Sequence, residues 1–404
     1  MMKEDETMLA IRGGTILTPD VCIEGGVVLI DGGRILDVGP DVEVPAEAEV
    51  IDAAGKHVIP GLVEPHCHVA LFADGIDYRF YDGNEMTDPA TPQMRALDAI
   101  HPEDLAFADL RESGVTTINI SPGSGNVIGG QTAVVKTDGI SADEMLMLAP
   151  GAMKMALGEN PKRVYGEQKR LPSTRMGNAA VLREWLTKAK LYVEKKSRHA
   201  EKAEAFERGE EGATRPEPFE ADMRLEALAP VVTGELKAHI HAHRADDILT
   251  GIRIAEEFGL DYVLIHATEG YKIVDVLVEK GAPCIPGPVL FSRRKLELSG
   301  MTPANAGILS NAGIKVAIQT DEGSATRYLR LNAVLAVSEG MKPADALRAI
   351  TQTAAEVLGV DDRVGSLEPG KDADVVILSG HPLDMAHARI ERVLIEGRTV
   401  WERS

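Results

Sequence analysis

Cysteine is scarce in this chain: its 404 residues hold three, Cys22, Cys67 and Cys284. They are too few and too scattered for a disulfide framework. Long apolar runs are missing as well, none approaching the roughly 20 residues that span a bilayer. The first residues, Met1-Met2-Lys3-Glu4-Asp5-Glu6-Thr7, lack the apolar core of a secretory signal. A reducing, cytoplasmic location without membrane attachment is the expectation. Positive charge is also short. Against 63 Asp and Glu stand 43 Lys and Arg, a formal net charge of −20, which repels polyphosphate and argues against nucleic acid as a partner. No repeat with a period of roughly 20 to 50 residues occurs, which removes the solenoid and propeller architectures.

What is present divides the chain in three. At 43.4 kDa it exceeds the size of one ordinary core, so a barrel-sized domain with a smaller companion is expected. Residues 8–56 carry short alternating or β-branched runs broken by Gly-Gly and Asp-Gly turns, and residues 373–401 repeat that texture, with Glu396-Gly397 as a turn. Matching ends around a different middle predict one small β domain, a β-sandwich composed of 1–57 and 372–404. Between them, over 58–371, apolar runs at 58–63, 115–120, 133–136, 152–157, 236–241, 262–266, 282–285 and 316–320 alternate with helical patterns. These predict a (β/α)8 TIM barrel with its chemistry at the C-terminal strand ends. An open doubly wound sheet is the competing arrangement, but no Gly-rich dinucleotide fingerprint follows the first strand. The segment 184–222, dense in Lys, Arg and Glu and broken at Arg208-Gly209-Glu210-Glu211-Gly212, predicts a charged helical insertion, either solvated or folded as a lid over the barrel mouth.

Chemistry enters at Pro60-Gly61-Leu62-Val63-Glu64-Pro65-His66-Cys67-His68. An apolar strand runs into two histidines at i and i+2, which point the same way on an extended chain. Two imidazoles can share an ion but cannot complete a zinc site, which takes at least three protein ligands. Further candidates close later strands: His239, His241 and His243 the fifth, His266 the sixth and Asp321 the eighth. The run Gly123-Ser124-Gly125-Asn126-Val127-Ile128-Gly129-Gly130-Gln131 lacks the Lys-Ser/Thr ending of a phosphate loop and is expected to be a loop at the barrel mouth.

Together with Gly13-Gly14-Thr15-Ile16-Leu17, Ile51-Asp52-Ala53-Ala54-Gly55-Lys56 and Gly365-Ser366-Leu367-Glu368-Pro369-Gly370-Lys371-Asp372-Ala373-Asp374, this motif resembles the amidohydrolase superfamily of metal-dependent hydrolases over nearly the whole chain. Within it the chain is most similar to the imidazolonepropionase-related group that includes metal-dependent dipeptidases. The resemblance implies that His66, His68 and Asp321 hold one divalent ion and that His241 and His266 hold a second. His241 is taken over His239, which shares its strand face. A bridging ligand from the fourth strand is also implied, often a carbamylated lysine. Lys154 suits it, since burial lowers an amine's pKa and a neutral amine reacts with carbon dioxide. The alternatives are a Lys154–Glu159 pair or Glu159 as the bridge. Glu64 departs from the pattern, standing where relatives often carry Asp. Zinc is the first candidate metal, with manganese, iron or cobalt also suited to these ligands, and a homo-oligomer is common among similar proteins.

The expected reaction is hydrolysis of a C–N bond in a small molecule, amide, peptide or cyclic amide. A bound ion brings the pKa of its water towards about 7, supplying hydroxide, and Asp321 shuttles the proton to the leaving nitrogen. Arg163 and Tyr165 after the fourth strand, and His243 after the fifth, are the candidates for gripping a substrate carboxylate. Two rivals stand beside this reading. A deaminase of the same superfamily would carry Glu three residues after the fifth-strand histidine, where this chain has Arg244. A catalytically silent oligomeric scaffold would have lost ligands that are all retained here.

Overall fold

The computed structural model describes residues 8–18, 21–75, 77, 81–290, 293 and 295–404. The N-terminal part supplies β1 (Leu9–Leu17), β2 (Cys22–Asp31), β3 (Arg34–Gly39), β4 (Glu49–Asp52) and β5 (His57–Pro60). The middle supplies β6 (Leu62–Cys67), β7 (Val115–Ile120), β8 (Ile128–Gln131), β9 (Ala133–Lys136), β10 (Leu146–Leu148), β11 (Met153–Ala156), β12 (Ala238–Ala242), β13 (Tyr262–His266) and β14 (Cys284–Pro286). The C-terminal part returns with β15 (Val375–Leu378), β16 (Ile390–Ile395) and β17 (Arg398–Glu402).

Both chain ends build one sheet, in the order β17-β16-β15-β5-β1-β2-β3 with β4 beside β1. Its hairpins follow from their turn residues. Asp31 pairs with Arg34 across Gly32-Gly33, and Ile395 with Arg398 across Glu396-Gly397. All four central residues have positive φ, as a two-residue turn matching the strand twist requires. Hydrogen bonds link all these strands, β1 pairing with β4 over residues 9–12 and with β5 over residues 15–16. Residues from the two arms of this sheet, among them Ile11, Ile16, Val28, Ile30, Val375 and Leu394, share one apolar cluster.

The predicted strand at 58–63 is two strands. Val58 and Ile59 pair with β1 and β15, whereas Leu62 onward pairs with β7. The chain changes sheet at Gly61, where a Cβ would lie 2.1 Å from Thr116 Oγ1, so only glycine lets the two strands approach there. The middle strands form sheets β10-β9-β7-β6 and β14-β13-β12-β11-β8. Thr132 joins them on one side, its N–H donating to Ala152 O at 2.8 Å and its carbonyl accepting from Gly151 N at 2.9 Å. On the other side residues 317–322 bridge. Ala317 N donates to Cys284 O (3.0 Å), Asp321 N to His66 O (3.3 Å) and His68 N to Glu322 O (2.9 Å).

One stave departs from a uniform parallel barrel. The run 128–136 is antiparallel to both neighbours, β8 to β11 and β9 to β7. The cause is chain length: only residues 121–127 link β7 to β8, and a parallel return needs about a dozen residues or more. The run 123–131, expected as a loop, therefore ends in a strand.

Buried charges fasten the C-terminal return to the barrel. Lys136 Nζ lies 2.9 Å from Asp372 and 2.8 Å from Asp374, and Arg363 reaches Asp372 at 2.8 Å. The expected insertion is a 33-residue helix, Arg175–Glu207, begun by a Thr174 cap on Gly177 N and followed by a non-helical stretch to Asp222. It is tied to neighbouring helices through Arg183–Glu257 (2.7 Å) and Lys196–Glu226 (2.7 Å). No described residue of 184–222 lines the histidine cluster or the cavity above it. Among the described residues no helix is long and apolar enough to cross a membrane.

Candidate metal centre

Strand ends from around the barrel converge on one point. His66 and His68 leave β6, Lys154 lies in β11, His241 in β12 and His266 ends β13. Asp321 Oδ1 stands 3.5 Å from His66 Nε2, 3.3 Å from His68 Nε2 and 3.7 Å from His266 Nε2. Lys154 Nζ is 2.8 Å from His66 Nε2, and the His241 ring centre is 4.4 Å from that of His266. The donor atoms of His66, His266 and Asp321 lie within 4.8 Å of one another, as do those of His241, His243 and His266.

Local backbone and hydrogen bonds aim these groups. His68 Nδ1 is 2.7 Å from Ser121 O and His266 Nδ1 is 2.8 Å from Gly287 O. A carbonyl oxygen only accepts, so Nδ1 carries the proton in both rings and Nε2 turns its lone pair to the cluster. His266 and Asp321 both adopt left-handed backbone, φ 68° and 57°. Non-glycine residues persist there at a cost on the order of 1–3 kcal/mol each, and such outliers concentrate at functional sites.

Burial governs the electrostatics. It pushes His66 and His241 well below the usual imidazole range, helped by Lys154 near His66 and His266 near His241. It takes His266 to about 4 and brings Lys154 down to about 7, in the latter case against the pull of Asp321. Burial alone would raise the Asp321 carboxyl, but His266, His66 and His68 hold it well below the usual carboxylate range. Neutral imidazoles around a carboxylate are a divalent-cation donor set. The fit is reinforced by buried nitrogens that lack a hydrogen-bond partner among the described residues: both on His241, Nε2 of His266 and Nδ1 of His66. Each such orphan costs about 1–3 kcal/mol.

The remaining candidates fall elsewhere. His239 is buried on the same strand face but opposite Lys154 in register, and it belongs to neither donor group. Among the described residues Lys154 makes no ion pair, and Glu159 is not among the converging donors. Arg163 is exposed, 3.9 Å from Glu167 on its own helix. Tyr165 is buried with its hydroxyl donating to Asn126 Oδ1 at 2.5 Å. Neither lines the cavity, because their helix begins at Glu159, directly behind the strand. His243 is buried within the histidine cluster. Glu64 does not reach the ligand side chains. It accepts from His66 N (2.9 Å), Thr320 N (3.0 Å) and Thr320 Oγ1 (2.8 Å), tying β6 to the run at 316–320 expected as the eighth strand.

A cavity of about 430 Å³ opens above the cluster, lined by His68, Phe72, Tyr81, Asn84, Ser124 and Asp321 among others. Of these, the sequence pattern pointed to the two ligands and to the glycine-rich run holding Ser124. The buried Glu297, 3.7 Å from His243 Nε2, carried no spacing signal at all.

The family described as "Amidohydrolase family" matches residues 57–400. The chain belongs to the amidohydrolase family. A solved structure of an amidohydrolase from Thermotoga maritima MSB8 is 42% identical, covers 98% of this chain and 100% of its own, and superposes with a TM-score of 0.91. This amidohydrolase is also 31% identical over 390 residues to the imidazolonepropionase of Geobacillus kaustophilus, across 88% of this chain and 84% of that one. Similarity to amidohydrolase tasK of Hapsidospora irregularis is 29% over 396 residues, 92% of this chain, which spans 39% of that longer protein.

Proposed function

We propose that this amidohydrolase cleaves a C–N bond of a small molecule with two divalent ions, zinc foremost, one held by His66, His68 and Asp321 and the other by His241 and His266. The single observation that carries the reading is the convergence of three imidazoles on the Asp321 carboxylate, with the Lys154 amine 2.8 Å from one of them. When bound, a divalent ion acidifies a water and polarises the carbonyl under attack.

The chain's own residues supply the rest. Asp321 keeps 24% of its side chain exposed towards the cavity. It takes a proton from the attacking water and returns it to the leaving nitrogen, base first and acid second. Lys154, with a pKa near 7, has its neutral amine available. Its Nζ lone pair could bond to the carbon of carbon dioxide, the nitrogen releasing a proton, and the resulting anionic carbamate would add a ligand to those of His66, His68, His241, His266 and Asp321. The 430 Å³ cavity suits a small substrate, and likeness to an imidazolonepropionase supports testing cyclic amides beside dipeptides and N-acyl amino acids. Deamination is the weaker reading. Three residues after His241 stands Arg244, whose guanidinium is spent on Asp246 at 2.8 Å, so the deaminase proton carrier is missing from that position.

The test is a panel of N-acyl amino acids, dipeptides and cyclic ureides assayed on the metal-loaded enzyme and on Asp321→Asn. The variant keeps its metal while turnover on the accepted substrate drops by about 10²–10⁴-fold, the range of a lost acid–base group. A fully active Asp321→Asn would remove the proton-shuttle role.

A further inference from the structure

Among the converging imidazoles, His241 has no tether. His68 and His266 are fixed through Nδ1 to backbone carbonyls, whereas neither ring nitrogen of His241 has a partner among the described residues. A metal ligand usually has its second nitrogen held by a carbonyl or carboxylate that sets its orientation, so another device must hold this ring. The structure contains one. His241 stands edge-on to both His243 (4.7 Å between centres, 86°) and His266 (4.4 Å, 84°), and His243 stacks on His266 (4.3 Å, 28°). The three rings interlock in the edge-to-face and stacked arrangements that aromatic quadrupoles favour.

His243 is itself anchored. Its Nδ1 lies 2.8 Å from Thr268 Oγ1, and its Nε2 faces Oε1 of Glu297 at 3.7 Å. Glu297 is fully buried, its Oε1 has no other partner, and its Oε2 accepts from Glu159 N at 2.8 Å. His243 is thus held through Nδ1 by Thr268, while its Nε2 faces Glu297 beyond hydrogen-bond length. Neither His243, Thr268 nor Glu297 lines the cavity above the cluster.

We propose that His243 is a positioning residue, a wedge held by Thr268 and packed against both rings, that orients His241 and His266 as ligands of the second ion. The inference rests on the two-ion reading above. It replaces the sequence expectation that His243 grips substrate. The i, i+2 spacing of His241 and His243 serves this purpose, placing both rings on one side of the chain.

The experiment measures zinc content and affinity of the full-length wild type, His243→Ala, His243→Phe and Thr268→Val by equilibrium dialysis in metal buffers, with kcat and KM in parallel. His243→Phe keeps a ring in the stack but has no nitrogen. The expected result is a loss of second-ion affinity of about 10- to 100-fold in His243→Ala, as for other residues that orient ligands, with His243→Phe within about threefold of wild type and Thr268→Val between them. The fall in activity follows kcat, with KM little changed. His243→Phe losing as much as His243→Ala would make His243 a ligand and overturn the wedge. Unchanged affinity in His243→Ala, or a raised KM with metal intact, would overturn it equally. A wild type that binds one ion removes the two-ion reading instead. The same series read on that ion still decides the wedge, which fails if His243→Ala leaves its affinity unchanged.

Discussion

Lys154 is the residue on which the proposed chemistry turns. An ammonium in the middle of a barrel is costly, and burial answers that cost by lowering the pKa to about 7. The group is then placed as an amine beside His66. On the proposed reading, replacing it by alanine would remove the carbamate ligand. Turnover of Lys154→Ala falls by more than about a hundredfold, beyond the range typical of residues that merely orient ligands. The carbonyl signal expected from wild type incubated with ¹³C-bicarbonate is absent from its ¹³C NMR spectrum. A wild type without that signal would contradict the carbamate. At this scale the sequence was most informative where residue type and strand end coincided, as for His66, His68, His266 and Asp321. It was least informative for Arg163 and Tyr165, since helical residues behind a strand can face outward or into packing with the same spelling. Glu297 was invisible because a lone buried carboxylate in a single 3-10 turn, Leu296–Leu298, has no period to betray it.

Elements carry a second lesson, at the join between the two sheets. Gly61 sits where β5 leaves the terminal sheet and β6 enters the barrel, with Thr116 Oγ1 where its Cβ would be. Gly61→Ala is expected to destabilise the protein by about 1–3 kcal/mol in denaturant unfolding, the scale of overpacking a tight contact. The double variant Gly61→Ala/Thr116→Ala should recover part of that loss. No recovery would place the strain elsewhere. The run at 58–63 sets Val58-Ile59 and Leu62-Val63 on either side of Pro60-Gly61, and that break does not say which sheet each half joins, so the switch of sheet was not legible. Nor was the reversal of 128–136. Alternation and apolar content report which face a residue takes, not the direction in which a strand runs, and only the seven-residue link from β7 could have hinted at it.

For the whole molecule, the composite of both chain ends was legible because turn chemistry and strand texture matched at 8–56 and 373–401. What holds that composite to the barrel was not, since ion pairs between positions more than 200 residues apart leave no local pattern. The Lys136–Asp372–Asp374 cluster does this work. Burial alone would raise the Asp372 carboxyl, but Lys136 and Arg363 outweigh it and lower the folded-state pKa. Its stabilisation is therefore present in full above the unfolded value of about 3.9 and is lost as pH falls through the lower folded value. Asp372→Asn should be less stable than wild type at neutral pH, with the gap narrowing below about pH 4. A gap that stays constant in acid would show that charge plays no part.

The central claim is that distant strand ends gather two ions around Asp321. Anomalous diffraction at the zinc absorption edge, from crystals of the zinc-loaded enzyme, tests it most directly. The account predicts two peaks per chain, one among His66, His68 and Asp321 and one beside His241 and His266. Peaks elsewhere, or none within coordinating reach of these side chains, would contradict it.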